Sequence, residues 1–184
     1  MQARRDILKF GLGALGGLLL PQSGFAADLV SAPRRALMQN LHTGEKIDAV
    51  YYENGAYVPD ALAAVNKVLR DFRTGQVAPM DKKLLDLLHI LSGKVESNNP
   101  YQIISGYRSP QTNAALRAKG GKSTGVATHS LHMEGQAMDI RLEGVQLAHL
   151  RDAALSMQVG GVGFYPQSNF VHVDTGRVRK WQGV

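Results

Sequence analysis

The sequence contains no cysteine. That absence excludes a disulfide scaffold, a thiol nucleophile and a thiolate-held zinc site together. Any metal must be bound by nitrogen and oxygen, drawn from six histidines and fifteen acidic residues. Aromatic residues are sparse at 7%, and no Lys/Arg run is interleaved with them, which excludes a nucleic-acid-binding surface. No apolar run is long enough for a mature membrane span. There is also no repeat, no low-complexity stretch and no charged tail. What remains is the profile of a folded chain of 184 residues, 44% hydrophobic and 20% charged, enough for one domain with a core.

The N-terminus has the layout of an export signal. Arg4 and Arg5 precede Ile7, Leu8 and Lys9, an apolar glycine-rich run extends from Phe10 to Leu20, and small residues surround Ala26. A basic start, a short apolar stretch and a small-residue cleavage site define a secretory signal. The adjacent arginines resemble a twin-arginine signal, which places the mature protein in the periplasm. The expected division is a signal over residues 1–26 and a single domain over 27–184, with no stable membrane insertion after cleavage. The alternative is a permanent N-terminal anchor. Removing Arg4, Arg5, Asp6 and Lys9 lowers the net charge from +6 to +4, still suited to an anionic matrix.

The pattern of the remaining chain is α+β. Arg35 to Leu41 and Lys46 to Tyr52 flank a turn at His42-Thr43-Gly44-Glu45 and predict a hairpin. A helix starts near Pro59 with Leu62, Val65, Leu69 and Phe72 on one face, and a second starts near Asp81 with Leu84, Leu87, Leu88, Leu91 and Val95. His89 lies beside that second stripe as a surface or core-edge histidine. Tyr101 to Ser105 reads as a strand, Ser109-Pro110 caps a helix running to Lys119, and Gly120, Gly121 and Gly125 end it and open a loop. Gln136 to Leu142, Gly163 to Tyr165 and Phe170 to Asp174 read as strands, with a helix from Val145 to Met157 between the first two. The expectation is helices early and a small antiparallel sheet late, with Trp181 packed against it.

The chemistry concentrates late in the chain. His129, His132, Glu134 and Asp139 lie close together, and His172 and Asp174 follow on a strand. In Ala137-Met138-Asp139-Ile140, strand alternation turns Asp139 away from Met138 and Ile140, and in Phe170-Val171-His172-Val173-Asp174 it turns His172 and Asp174 away from the valines. Two adjacent strands could then present Asp139 and His172 side by side, with His132 entering from a loop. Two imidazoles and one carboxylate make a three-ligand zinc set with a fourth position open. On spacing alone the alternative stands equally: His132 in a polar loop and His172 on a solvent-facing strand.

Four stretches carry a resemblance. Ser105-Gly-Tyr-Arg-Ser-Pro110, Ser130-Leu-His132-Met-Glu-Gly135-Gln-Ala137-Met-Asp139-Ile140, Gly161-Val-Gly163-Phe-Tyr165 and Phe170-Val-His172-Val-Asp174 resemble, in this order, the M15 family of zinc peptidases and its exported murein endopeptidase subgroup. The resemblance runs from about Leu37 to Trp181. It implies a fold shared with D-alanyl-D-alanine peptidases and the hedgehog domain. It implies zinc (Zn2+) on His132, Asp139 and His172, and hydrolysis of peptide cross-links in peptidoglycan. It implies that Arg108 binds the substrate carbonyl or carboxylate. The pattern breaks at the general base. Relatives carry Glu three residues, or His two residues, before the last ligand, where this chain has Asn169 and Phe170. Asp174 is the first candidate base, with orientation of an imidazole as its other reading; His129 is the second, with loop ordering as its other reading. A D-alanyl-D-alanine carboxypeptidase and a non-catalytic zinc-containing wall-binding module are the competing functions. The motifs fix no oligomeric state.

Overall fold

The computed structural model describes residues 32–120 and 126–183. The expected signal at 1–26, and Gly121 and Gly125 of the expected glycine-bearing loop, lie outside the described residues. Those described belong to one compact unit, Ser31–Val184.

The described residues form eight strands and four helices. The hairpin forms as expected: β1 (Arg34–Asn40) pairs antiparallel with β2 (Lys46–Glu53), and the Asn54-Gly55 turn returns the chain into a short β3 (Ala56–Tyr57). Pro59 occupies the first turn of α1 (Pro59–Val68). The helix stops four residues short of Phe72. A turn over 71–76 intervenes, in which Gly75, at φ +73°, donates its N–H to Asp71 O, and Phe72 stacks on His42 at 3.8 Å instead of continuing the helical face. Asp81 caps α2 (Lys82–Lys94) by accepting from Lys83 N–H at 3.0 Å, and Leu84, Leu85, Leu87, Leu88 and Leu91 are buried. His89 is exposed.

After β4 (Tyr101–Ser105) comes α3 (Pro110–Gly120), capped by Ser109 Oγ, which accepts from Thr112 N–H. Then follow a single 3-10 turn (Leu131–Glu134), β5 (Ala137–Leu142), α4 (Leu147–Ser156), β6 (Gly161–Tyr165), β7 (Phe170–Asp174) and β8 (Arg179–Gln182). The last strand, β8, was not visible in the sequence.

The α+β class holds, and the sheet is wider than the sequence suggested. All eight strands join in one sheet of order β3-β2-β1-β4-β5-β7-β6-β8, in which β1/β4 and β6/β8 are parallel and the other pairs antiparallel. A parallel neighbour is reached only by a long crossover, so local patterning does not reveal it. Helices α1, α2 and α4 pack against the strands, and one contiguous core joins Val65, Leu69, Leu84 and Leu88 to Met138, Ile140, Val171 and Val173. The central strands therefore spend one side-chain parity on the core and leave the other, which carries Asp139 and His172, for chemistry. Among the described residues no helix is long and apolar enough to cross a membrane.

Candidate metal centre and its cleft

Strand register builds the centre. On β5 and β7, Asp139 is the direct partner of His172, flanked by the pairs Met138–Val173 and Ile140–Val171 that anchor the core side. On the other side of β5, Ser105 opposes Asp139 after an irregularity in pairing beyond Ile103. That irregularity redirects the chain into the turn Gly106-Tyr107-Arg108. The turn is seated on the end of α1: Tyr107 donates its N–H to Leu69 O at 2.8 Å, and a Cβ on Gly106 would stand 2.5 Å from the same oxygen. The 3-10 turn then brings His132 across, and Arg108 N–H donates to His132 O at 3.1 Å.

Three ligand atoms converge. His132 Nε2 lies 3.2 Å from His172 Nδ1 and 3.3 Å from Asp139 Oδ1, and His172 Nδ1 lies 2.9 Å from Asp139 Oδ1. All three residues are buried, so the reading of His172 on a solvent-facing strand is excluded. The far side of each ring is also occupied. His132 Nδ1–H donates to Gly106 O at 2.8 Å, and His172 Nε2–H donates to Asp174 Oδ2 at 3.1 Å. Both partners can only accept, so these contacts place the ring protons on the outer nitrogens and aim bare lone pairs inward. Three lone pairs within 3.3 Å of each other repel unless a cation sits among them. Zinc bonds of about 2.0–2.1 Å at a tetrahedral angle separate ligand atoms by about 3.3 Å. The observed triangle fits that group.

The buried groups of the triangle shift one another's titration. Burial alone would raise the Asp139 carboxyl, but the imidazoles of His132 and His172 outweigh it and hold the group far below the usual carboxylate range. Burial lowers His172, while Asp139 and Asp174 raise it and prevail. Arg108 is pushed down by burial and partly restored by Asp139, whose Oδ2 lies 3.8 Å from Arg108 Nη2. Arg108 thus stands beside the carboxylate oxygen that faces away from the triangle. Its Nε has no acceptor among the described residues.

The centre opens into a cleft of about 340 Å³. Arg108, His129, Tyr165, Phe170 and Trp181 are among its lining residues. A family model described as Peptidase_M15_2, peptidoglycan L,D-endopeptidase MepK, matches residues 29–181. The chain belongs to this family. It is 47% identical over 178 residues to the peptidoglycan L,D-endopeptidase MepK of Escherichia coli K12, covering 97% of this chain and 96% of that one. It is 39% identical over 184 residues to the protein named probable peptidoglycan L,D-endopeptidase MepK of Haemophilus influenzae, covering 100% and 97%. A crystal structure of the vancomycin resistance D,D-dipeptidase VanXYg with a D-Ala-D-Ala phosphinate analog overlaps at TM-score 0.35 and 20% identity, over 58% of this chain and 54% of that one.

The two candidate bases of this M15_2 peptidase lie in different places. Asp174 is fully buried, does not line the cleft, and meets His172 on the ring nitrogen opposite the triangle. It also accepts from Gly161 N–H at 2.8 Å, Gly176 N–H at 2.9 Å and both Arg179 amino groups at 3.1 and 2.7 Å. Burial raises its pKa, but His172, Arg179 and the two N–H groups hold it far below the ordinary range. A carboxylate so occupied does not reach a water in the cleft. The geometry suits its other reading, orientation of the imidazole. His129 is exposed on the cleft wall. Glu134 is exposed and outside the cleft lining. Phe170 stacks on Tyr165 at 4.4 Å in the cleft.

Sequence reasoning missed Arg179 and underrated Trp181. Trp181 lies on β8, 5.1 Å from the His172 ring, and donates Nε1–H to Tyr165 hydroxyl at 2.9 Å. Gly161-Val-Gly163 faces Arg179-Lys-Trp181 in register, small residue against large, a complementarity that only the pairing of β6 with β8 reveals.

Proposed function

We propose that the chain is a zinc-dependent endopeptidase of the bacterial envelope that hydrolyses peptide cross-links of peptidoglycan at amides joining an L-centre to a D-centre. Support comes from membership of the M15_2 family, whose description names that activity, and from relatives bearing the same name over nearly the whole chain. The observation that carries the reading is the buried triangle of His132 Nε2, Asp139 Oδ1 and His172 Nδ1, open to a cleft that also holds Arg108.

In this reading His132, Asp139 and His172 hold Zn2+. A zinc ion there supplies Lewis-acid polarisation of the scissile carbonyl and a nucleophilic water at neutral pH. The chain's own groups do the rest. Asp174 and Gly106 O fix the two rings, so the centre is set before substrate arrives. Arg108, fixed through its backbone and poorly hydrated, presents a guanidinium to the oxygen on which negative charge develops. His129 moves the proton from the attacking water to the departing amine nitrogen. Tyr165, Phe170 and Trp181 form an apolar wall that excludes bulk water beside His172.

We further assign residues 1–26 as a twin-arginine signal that delivers the domain to the periplasm, on the strength of Arg4-Arg5 and the apolar run after them. Replacing both arginines by lysine should leave the protein in the cytoplasm.

The activity is tested on purified muropeptide dimers. Zinc-loaded protein should convert dimers joined through an L,D amide into monomers, read by mass, and leave D,D-linked dimers intact. Loss of a single terminal alanine would mean a carboxypeptidase. Binding to murein without any cleavage would mean a wall-binding module.

A further inference from the structure

We infer that Arg179 is a positioning residue for the metal centre, acting through Asp174 on the His172 ring. The inference rests on the reading of His132, Asp139 and His172 as a cation site.

The buried carboxylate of Asp174 has a cation beside it. Asp174 is completely buried, and an ionised carboxylate in such a place is tolerated only when paired and hydrogen-bonded. Arg179 supplies both: Nη1 donates to Oδ1 at 3.1 Å and Nη2 to Oδ2 at 2.7 Å. This forked contact fixes the plane of the carboxylate, which a single point charge would not do. Oδ2 then accepts the His172 Nε2–H, and the ring is held with Nδ1 toward Asp139 and His132. The chain of contacts runs from an edge strand, through a buried carboxylate and an imidazole, to the ligand triangle.

Arg179 is itself held in place. Its Nη1 donates to Arg177 O at 3.0 Å, and its guanidinium lies 4.9 Å from the Trp181 ring centre. Its backbone is registered on β6, opposite Gly161. Gly161 is the independent sign that the fold makes room for this pair. A Cβ at position 161 would stand 2.5 Å from Arg179 Nη1 and 2.5 Å from Asp174 Oδ2. Nothing in the φ of Gly161 demands glycine, since it is not among the residues at positive φ. The demand is steric, and it comes from both members of the pair at once. The Gly161 N–H, moreover, donates to Asp174 Oδ1.

The arrangement predicts a loss of metal affinity on substitution far beyond any general effect on folding. The test uses the full-length protein with zinc alone, measured by competition against a chromophoric chelator, and the visible spectrum of the cobalt-substituted protein. Arg179→Gln removes the charge and the fork and should weaken zinc binding about 10-fold or more, the usual consequence of losing an outer-shell partner. Arg179→Lys keeps the charge without the fork and should fall between Gln and the native protein. Gly161→Ala should displace the same pair and give the same defect. Arg35→Gln, which breaks an exposed pair with Asp48, is the control and should bind zinc as the native protein does. In an Asp174→Asn background, Arg179→Gln should add nothing, because the path runs through the carboxylate.

Native-like zinc affinity and cobalt spectrum in folded Arg179→Gln would overturn the inference, as would full additivity with Asp174→Asn. Should the Gln variant prove too unstable, Arg179→Lys decides by the same two readouts. If the native protein itself binds no zinc, the reading of the triangle fails and takes this inference with it. If it binds zinc and the variants bind equally well, only the role of Arg179 falls.

Discussion

Asp139 and His172 are direct cross-strand partners on β5 and β7, with Asp139 Oδ1 2.9 Å from His172 Nδ1. A one-residue slip of either strand would turn that strand's ligand to the core side and bring its apolar residues into the cleft. The pair is thus maintained by the hydrophobic contacts of Met138, Ile140, Val171 and Val173 behind it. Replacing His132, Asp139 or His172 by Ala should abolish zinc stoichiometry, measured by elemental analysis, and with it turnover of L,D-linked dimers. Far-ultraviolet circular dichroism should stay native-like, since the core side of each strand is untouched.

Arg108 should act on rate rather than on metal. Arg108→Ala should keep zinc and lower kcat by about 10²–10³, the usual cost of losing one donor to a developing oxyanion. Arg108→Lys should recover little of it, because an ammonium does not reproduce the planar fork. Equal kcat in Arg108→Ala would remove this residue from the reaction.

Asp174 and His129 should separate in the same pair of assays. Asp174→Asn should weaken zinc binding by about 10–100-fold, as expected for a partner that orients a ligand ring. His129→Ala should keep zinc and lose about 10²–10⁴ in turnover, as expected for a group that moves a proton. The reverse pattern would restore Asp174 as the base.

Gly106→Ala should damage fold and site together. Its Cβ would press on Leu69 O, and the same residue's carbonyl accepts the His132 Nδ1–H. We expect a fall in thermal midpoint with reduced zinc affinity in whatever fraction remains folded. A native-like midpoint would show that the 106–108 turn can give way.

Asp71 should contribute acid-sensitive stability. It is buried and accepts from Ser109 N–H at 2.8 Å, Ser109 Oγ–H at 2.6 Å and Arg73 N–H at 3.0 Å. Burial alone would raise its carboxyl, but these donors prevail and lower it from 3.8 to about 2. A depressed folded-state value means that the stabilisation is complete above the unfolded value and disappears as pH falls from about 4 through about 2. In urea unfolding, the gap between the native protein and Asp71→Asn should therefore narrow by up to about 2 kcal/mol across that window and stay flat from pH 5 to 7. A gap independent of pH would mean that the carboxylate's charge plays no part.

The order of elements was legible in the amino-acid pattern wherever neighbours in sequence are neighbours in space. The β1–β2 hairpin, the Asp81 cap and the leucine stripe of α2, and the strand at Tyr101–Ser105 all follow from local rules. Strand alternation also put Asp139 and His172 on the parity away from the core. Phe72 was misplaced because a turn competed with helical periodicity, and β8 was missed because four mostly polar residues carry little pattern of their own.

By itself, then, the sequence determined which residues could do chemistry, since side-chain parity in a strand is a property of the backbone, and which chemistry was excluded, since no thiol is present. Tertiary structure decided how they are used. Only the parallel pairing of β8 with β6 brings Arg179 to Asp174, and only the seating of the Gly106 turn on Leu69 brings its carbonyl to His132. The second contact joins residues 26 apart in the chain, and the first, although only five residues separate its members, forms because β8 lies along β6. Their energy resides in burial and hydrogen-bond geometry that sequence pattern does not carry.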